Sequence, residues 1–369
     1  MKIIQFVPTL ANGGAEALVR DYAIALNKLG YDVKVLVTKQ LPNSSNEKTL
    51  KSNSIRIDSI EPFFENSGNI IGKIFAMLFQ CLRLICYLHI KKPHVIHVHL
   101  TLLHLMYLCR YFIPRNMLIV YTCHSVPKVY FEKYKKEYFA TVYFLKRGNF
   151  KLIALHKDAA LQMNRIFNCS DTACLHNMID LKRFRQPMTS RKDMRKQLGI
   201  AQDAFVIGHI GRFSEVKNHN FLVEIFASVI KEKPNAFLLM IGDGDLKEHV
   251  ETKLSEMGLK NKYLILSNRY DIPELDHTMD VCVFPSKYEG FLIAMLEAQA
   301  CGIKCVCSCN IPSTVFLSKN IYALSLDDSI NKWKDAILYN NMPPSASTGK
   351  LEDYDTNTII KQLEQIYKE

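Results

Sequence analysis

A chain of 369 residues with 48% hydrophobic and 22% charged side chains is long enough for two domains and too apolar to be disordered or fibrous. Its net charge of +11 lies wholly in one half: residues 1–180 hold 23 Lys and Arg against 12 Asp and Glu, whereas residues 181–369 hold 24 of each. A polyanionic partner would therefore meet the first half. That half carries no recognition motif for nucleic acid and interleaves its charges with strand and helix cores, so nucleic acid is not an expected partner.

The opening "MKIIQFVPTL" reads as a strand entering a core, not as an export leader. The protein is accordingly expected in the cytoplasm, with its eleven cysteines reduced and serving as small buried hydrophobes. A Gly-rich turn, "TLANGGAE", leads into the helical pattern "AEALVRDYAIALNKLG", which Gly30 closes, and "YDVKVLVT" is the next strand. The stretch "IIGKIFAMLFQCLRLICYLHIKKPH" is apolar but interrupted by Lys73, Gln80 and Arg83, short of the ~18–20 uninterrupted apolar residues of a spanning helix. It predicts an amphipathic helix, packed on a sheet or touching a membrane surface. "PHVIHVH", "MLIVYTCH" and "FKLIALH" are further strands with helical patterns between them. In the run "KVYFEKYKKEYFATVYFLKRGNFK", Lys133, Lys135, Lys136, Lys146, Arg147 and Lys151 are interleaved with Tyr and Phe, a composition suited to an anionic bilayer surface.

After Asp180 the polar, basic stretch "LKRFRQPMTSRKDMRKQLGI" reads as a linker with a short helix. The alternation then restarts with "FVIGHIGR", "NHNFLVEIFASVIKEKP", "AFLLMIGDG", "LKEHVETKLSEMG", "KYLILS", "VCVFPS", "LIAMLEAQACG" and "KCVCS". Strict β-α-β alternation predicts α/β architecture: two Rossmann-like domains with parallel sheets, one over 1–185 and one over 186–350. "NTIIKQLEQIYKE" predicts a last helix within 354–369, packing back on the first domain.

Five stretches carry chemistry. The glycine pair of "TLANGGAE" can turn backbone amides toward a phosphate at the positive end of a helix, or can simply make a tight turn. In "GRFSEVKNH", Gly211 frees the turn while Arg212 and Lys217 place two cations at the carboxyl end of a strand, where open α/β sheets bind ligands. Two cations there suit a diphosphate, against the alternative of a solvated basic loop. "GDGD" stands at a strand-to-helix turn, where Gly and Asp serve turn and capping needs as well as they would a metal. Arg269, in "NRYDIPEL", lies in a loop that Pro273 interrupts and that could read a base. In "YEGFLIAMLEAQACG", Glu289 and Glu297 flank a helix start; carboxylates there can accept paired sugar hydroxyls, or can favour the helix dipole and sit satisfied in the core. "CVCSC" alternates as a strand and has no second Cys/His pair at zinc spacing.

Taken in order and spacing, "GRFSEVKN", "RYDIPEL" and "FPSKYEGFLIAMLEAQACGIKCVCS" resemble the donor half of glycosyltransferase family 4, most of all its bacterial capsular and exopolysaccharide members. "GGAE", "CHS" at 123–125 and "HNMID" at 176–180 fit the same pattern, so the resemblance spans nearly the whole chain. It implies the GT-B fold, two Rossmann-like domains facing a central cleft. It also implies a retaining, metal-independent transfer of a sugar from a nucleotide-sugar donor, a UDP-sugar above all, to a saccharide acceptor, soluble or carried on a polyprenyl diphosphate. By position, Gly14 would offer its amide to the donor diphosphate, which Arg212 and Lys217 would also hold, with Arg269 in the donor-binding set. Glu289 would bind donor-sugar hydroxyls beside Gly290 and the amides of Phe291 and Leu292, and Glu297 the ribose. His124 would lie near the donor sugar and the acceptor, with Asn177 on the acceptor side. No cofactor is implied, and the enzyme would work at the inner face of the cell membrane. The chain departs from the pattern at Met178, where many relatives have Gly, and at Leu292, where Gly or Pro is usual; the second would narrow the sugar pocket or shift the helix start. A sugar-nucleotide epimerase of the same fold and a non-catalytic sugar-nucleotide sensor are the competing readings.

Overall fold

The computed structural model describes residues 1–11, 13–42, 44–62, 70–339 and 341–369. The chain divides into two compact units, one of residues Met1–Met178 with Thr356–Glu369, the other Ile179–Asp355.

The first unit is built on β1 (Lys2–Val7), β2 (Asp32–Val37), β3 (Arg56–Ser59), β4 (Val95–His99), β5 (Leu118–Cys123), β6 (Phe150–Ala154) and β7 (Ala173–Cys174). They form one parallel sheet in the order β3-β2-β1-β4-β5-β6-β7, with Ile3 of β1 registered against Val33 on one side and Val95 on the other. Strands covered on both faces read as continuous apolar runs, and Ile3, Ile4, Phe6 and Val7 are all buried. Ile4 and Phe6 pack with Leu84, Leu88 and Met106 on one face; Ile3 and Val7 pack with Leu18, Tyr22 and Leu26 on the other.

The second unit holds β8 (Phe205–Ile210), β9 (Ala236–Ile241), β10 (Tyr263–Leu266), β11 (Val281–Phe284), β12 (Lys304–Ser308) and β13 (Ile321–Leu324). Its parallel order is β10-β9-β8-β11-β12-β13. In each sheet the chain winds outward in both directions from one central pair, β1 and β4 in the first unit, β8 and β11 in the second. The loops leaving that pair diverge, which opens a crevice at the carboxyl ends of the strands.

The division falls at residue 178 rather than the expected 185, because the stretch read as a linker is not solvated. Leu181, Phe184 and Met194 join the second unit's core, and the guanidinium of Arg195, 2% exposed, donates to the carbonyls of Thr278, Gln202 and Ala204 and to Asp280. At the far end Tyr354 is buried in that same core, so only the helix Thr356–Lys368 joins the first unit. Ile359, Ile360, Leu363 and Tyr367 recur at helical spacing and bury beside Tyr22 and Leu26. At about 1.5–3 kcal/mol per buried large side chain, this stripe is enough to hold the helix.

The expected helix is present as Ile70–Lys91, and it differs from the reading in one respect, its apolar length. Over Ile71–Lys91 it is long and apolar enough to cross a membrane, with mean hydropathy 1.6, because its three polar interruptions are too few to lower the average. Ala76, Cys81, Leu84 and Leu88 turn inward and are buried. Its outer face is also apolar: Ile71, Phe75, Leu78, Leu82 and Ile90 are 65, 61, 52, 62 and 73% exposed. Of the basic run that follows, Arg147 donates to the carbonyls of Ile113 and Pro114 and Lys151 lies 3.7 Å from Glu369, leaving Lys133, Lys135, Lys136 and Lys146 exposed. The cysteines are unpaired, and two of them, Cys86 and Cys309, are exposed rather than buried.

Candidate functional site

In the second unit the crevice beside β8 and β11 receives the turn Gly211–Lys217 and the segment that leads from β11 to Glu289. Two glycines let a neighbouring turn close onto the first of these. A Cβ on Gly242 would lie 2.0 Å from the Gly211 carbonyl oxygen, and one on Gly244 2.5 Å from that of Phe213. Phe213 in turn donates its amide to the Asp243 carbonyl at 2.9 Å. The "GDGD" glycines are thus required by close backbone approach, and among the described residues no group of three His, Cys, Asp or Glu is placed to hold a metal.

Lys217 ends a short 3-10 turn, Glu215–Lys217, and its Nζ lies 2.6 Å from Glu289 Oε1. The two side chains are 17% and 12% exposed. Seventy-two residues apart in sequence, they meet because β8 and β11 are neighbours. Arg212 stands apart, 72% exposed, with Asp245 at 3.9 Å. Arg269 is turned onto Asp271 of its own loop, Nε to Oδ1 2.8 Å, and this bond holds the Asp271 carboxyl below the usual range.

Glu289 lies outside the helix that follows, Ile293–Ala300, so helical register does not relate it to Glu297. Leu292 occupies the N-cap and supplies no side-chain bond to the first amides, while Gly290 has open space where a Cβ would be. The Leu292 side chain is buried in the core rather than turned into a pocket, and the Phe291 ring stacks on Tyr354 at 5.6 Å. Glu297 is half-buried near Asp276, a fully buried carboxyl whose oxygens have no hydrogen-bond partner among the described residues. Burial first, and the Glu297 charge second, push Asp276 well above the usual carboxylate range.

Two buried histidines lie under this turn. His209 donates Nδ1–H to the Val283 carbonyl at 2.8 Å, and a Cβ on Gly211 would sit 3.2 Å from its Nε2. His219 stacks on Phe213 at 4.2 Å. Burial, with the Lys217 charge adding to it, depresses His209 to about 4 and His219 to about 2. Both imidazoles are neutral at pH 7.

In the first unit Gly14 begins the helix Gly14–Lys28, whose N-cap Gly13 offers no side-chain bond. A Cβ on Gly13 would lie 2.3 Å from Glu16 Oε2. The Glu16 carboxyl therefore folds over the helix N-terminus, where the glycine pair was expected to receive phosphate. His124, half-buried, follows β5, and burial depresses it to about 4. Its Nε2 meets His99 Nδ1 at 3.0 Å. His99 Nε2 lies 2.8 Å from Gln5 Oε1, and Gln5 Nε2 lies 3.0 Å from the Tyr367 hydroxyl. Tyr367 reaches His97 Nδ1 at 2.7 Å, and His97 Nε2 reaches Thr122 at 2.7 Å. Asn177 is buried beside Met178, whose side chain belongs to the sheet core.

The sequence reading did not single out Gln5, His97, His99, Asp276, His209, His219 or Tyr367. A signal existed for two of them: in "VIHVH" the period-two alternation places both imidazoles on one face of β4. Nothing local marks the others.

Two family models match successive parts of the chain: Glycosyltransferase Family 4 over residues 12–183 and Glycosyl transferases group 1 over 190–320. The sequence is 38% identical over 165 residues to EpsF of Bacillus subtilis, 44% of this chain and 43% of that one. It is 30% identical over 208 residues to a UDP-Gal:alpha-D-GlcNAc-diphosphoundecaprenol alpha-1,3-galactosyltransferase of Escherichia coli, 53% of each chain. The chain thus spans about half the length of these curated relatives. Among solved structures, HepE of Anabaena in complex with UDP and glucose superposes with a TM-score of 0.78 at 19% identity, covering 100% of this chain and 99% of that one. The architecture, two Rossmann-like units each with a helix-flanked parallel sheet, is the GT-B fold.

Proposed function

We propose that this protein is a retaining glycosyltransferase of family 4 that moves a sugar from a UDP-sugar to a saccharide acceptor in the assembly of a capsule or exopolysaccharide. The observation that carries the reading is the Lys217–Glu289 pair at the crevice beside β8 and β11. One half-buried cation and one half-buried carboxylate, touching at 2.6 Å, present the charges a sugar diphosphate needs: a donor for phosphate and an acceptor for hydroxyls. The exposed Arg212 adds a second cation, Glu297 takes the ribose, and the amides near Phe291 and Leu292 flank the phosphate. In the first unit, the Gly14 amide at a helix N-terminus is a further phosphate donor, one that the Glu16 carboxyl covers in the unliganded protein. His124 serves the acceptor side, whereas Asn177, buried beside Met178, would act there only through the side chains around it.

In the reaction the bond between the sugar C1 and the phosphate oxygen breaks, its electron pair staying on the diphosphate. Arg212 and Lys217 stabilise that growing charge. The acceptor oxygen bonds to C1 on the face the phosphate leaves, and its proton passes to the departing phosphate oxygen. Glu289 orients the sugar and stabilises positive charge at C1. The Escherichia coli relative's use of UDP-Gal and an undecaprenyl-diphosphate-linked acceptor supports a UDP donor and a lipid-linked acceptor here. Such an acceptor requires docking at an anionic membrane surface, for which the exposed apolar face of Ile70–Lys91 and the exposed Lys133, Lys135, Lys136 and Lys146 are suited.

The test is a panel of UDP-, GDP- and other sugar nucleotides, each measured for thermal stabilisation, hydrolysis and transfer, with NMR of the product's anomeric configuration. Retention with a UDP-sugar is expected. Release of an epimerised free sugar without acceptor would favour the epimerase, and binding without turnover would favour a sensor.

A further inference from the structure

We propose that Tyr367, on the C-terminal helix, is a positioning residue for His124, fixing its tautomer through Gln5 and His99. The inference rests on His124 being the acceptor-side imidazole of the proposed transferase, but its physical content is independent of activity.

The chain of contacts has a direction. The Gln5 amide is the element with fixed polarity, since its oxygen only accepts and its nitrogen only donates. Its nitrogen, 3.0 Å from Tyr367, donates to the phenol oxygen, and the phenol O–H is then given to His97 Nδ1 at 2.7 Å. These lengths match an N–H donor in the first bond and an O–H donor in the second. The Gln5 oxygen, 2.8 Å from His99, requires a proton on His99 Nε2. Burial depresses His99 well below its usual range, so the ring is neutral and its Nδ1 bears a lone pair. That lone pair accepts from His124 at 3.0 Å, which places the His124 proton on Nε2. The neutral His124 ring therefore turns its bare Nδ1 away from His99, as the acceptor it can offer a hydroxyl.

Gln5, His97, His99 and Thr122 are each fully buried, and Tyr367 is 4% exposed. Water does not compete for these bonds, and reversing one reverses its neighbours. Without the Tyr367 hydroxyl the Gln5 amide loses the partner that orients its nitrogen. It can then turn over and invert the protons on His99 and His124. The final helix thus does more than bury an apolar stripe. Tyr367, in its last turn, supplies the far end of the chain that sets a proton at the edge of β5.

Tautomers are read directly from long-range ¹H–¹⁵N correlations of the imidazoles at pH 7. In the unmodified protein His124 should be the Nε2–H form. Tyr367→Phe should change its tautomer ratio by about fivefold, the worth of one neutral hydrogen bond. Gln5→Met, close to isosteric, should give the same change from the other side, which guards against a folding defect in either variant alone. With turnover assayed, kcat should fall while the donor KM stays the same. An Nδ1–H tautomer in the unmodified protein, or an unchanged ratio in both folded variants, would overturn the proposal. Absence of transfer with every sugar nucleotide, together with the expected tautomer shifts, would instead remove the transferase reading and leave the positioning chain standing.

Discussion

Replacing Glu289 by Gln should tighten UDP binding while slowing transfer, a pair of opposite effects that follows from the contact with Lys217. The ammonium lies 2.6 Å from the carboxylate in the unliganded protein. A diphosphate bonded to the far side of that ammonium would sit about 5 Å from Glu289. At an effective dielectric of 20, two unit charges at that separation repel by about 3 kcal/mol. Partial exposure of both side chains reduces this to about 1–2 kcal/mol. Glu289→Gln keeps an oxygen for Lys217 and for the sugar hydroxyls but removes the repulsion, so UDP should bind about 10-fold tighter. Turnover should fall by roughly 10²–10³-fold, because the carboxylate no longer stabilises positive charge at C1. Calorimetric titration with UDP at fixed ionic strength measures the first effect, and initial rates at saturating donor measure the second. Weaker UDP binding in a folded Glu289→Gln protein would refute the arrangement, since it would make the carboxylate a ligand of the nucleotide rather than a rival of its phosphates.

Arg212→Ala and Lys217→Ala should each lower transfer by roughly 10²–10³-fold with unchanged thermal unfolding for the exposed Arg212; near-normal rates in the double variant would remove the diphosphate assignment. Glu297→Gln should weaken UDP, and if it instead leaves UDP untouched the ribose role is lost. His209 and His219 are neutral when folded and titrate near 6.5 when unfolded, so the unfolded chain binds more protons as pH falls from about 6.5 toward the folded values near 4 and 2. Stability held above pH 6.5 is therefore lost below it, by about 2 kcal/mol per imidazole at pH 5, and His219→Phe should remove one such share in denaturant titrations at pH 7 and 5. Sedimentation should show salt-sensitive binding to anionic vesicles and none to neutral ones at high salt, abolished by Leu78→Glu with Leu82→Glu; equal partition to both vesicle types would count against electrostatic docking.

Most of the fold could be read from the chain because a parallel sheet buried on both faces leaves unbroken apolar strands, and crossovers leave helical stripes between them. The positions of the charged loops followed, since Gly211 with two cations after a strand marks the carboxyl edge of a sheet. Partnership was not readable. Lys217 and Glu289 are 72 residues apart, Gln5 and Tyr367 are 362 apart, and neither bond has a local pattern. Leu292 illustrates the converse: its type suggested a narrowed sugar pocket or a shifted helix start, and at the N-cap of Ile293–Ala300 its side chain is buried in the core. The helix Ile70–Lys91 shows where composition itself runs out. An inward face of Cys81, Leu84 and Leu88 and an outward face of Ile71, Phe75, Leu78 and Leu82 are both apolar, so composition alone does not tell which faces protein. Only the sheet beneath decides it. Once β4 and its neighbours have claimed one face, the other is left apolar without a protein partner in this chain's described residues. A surface of that kind costs solubility and is retained where something apolar meets it.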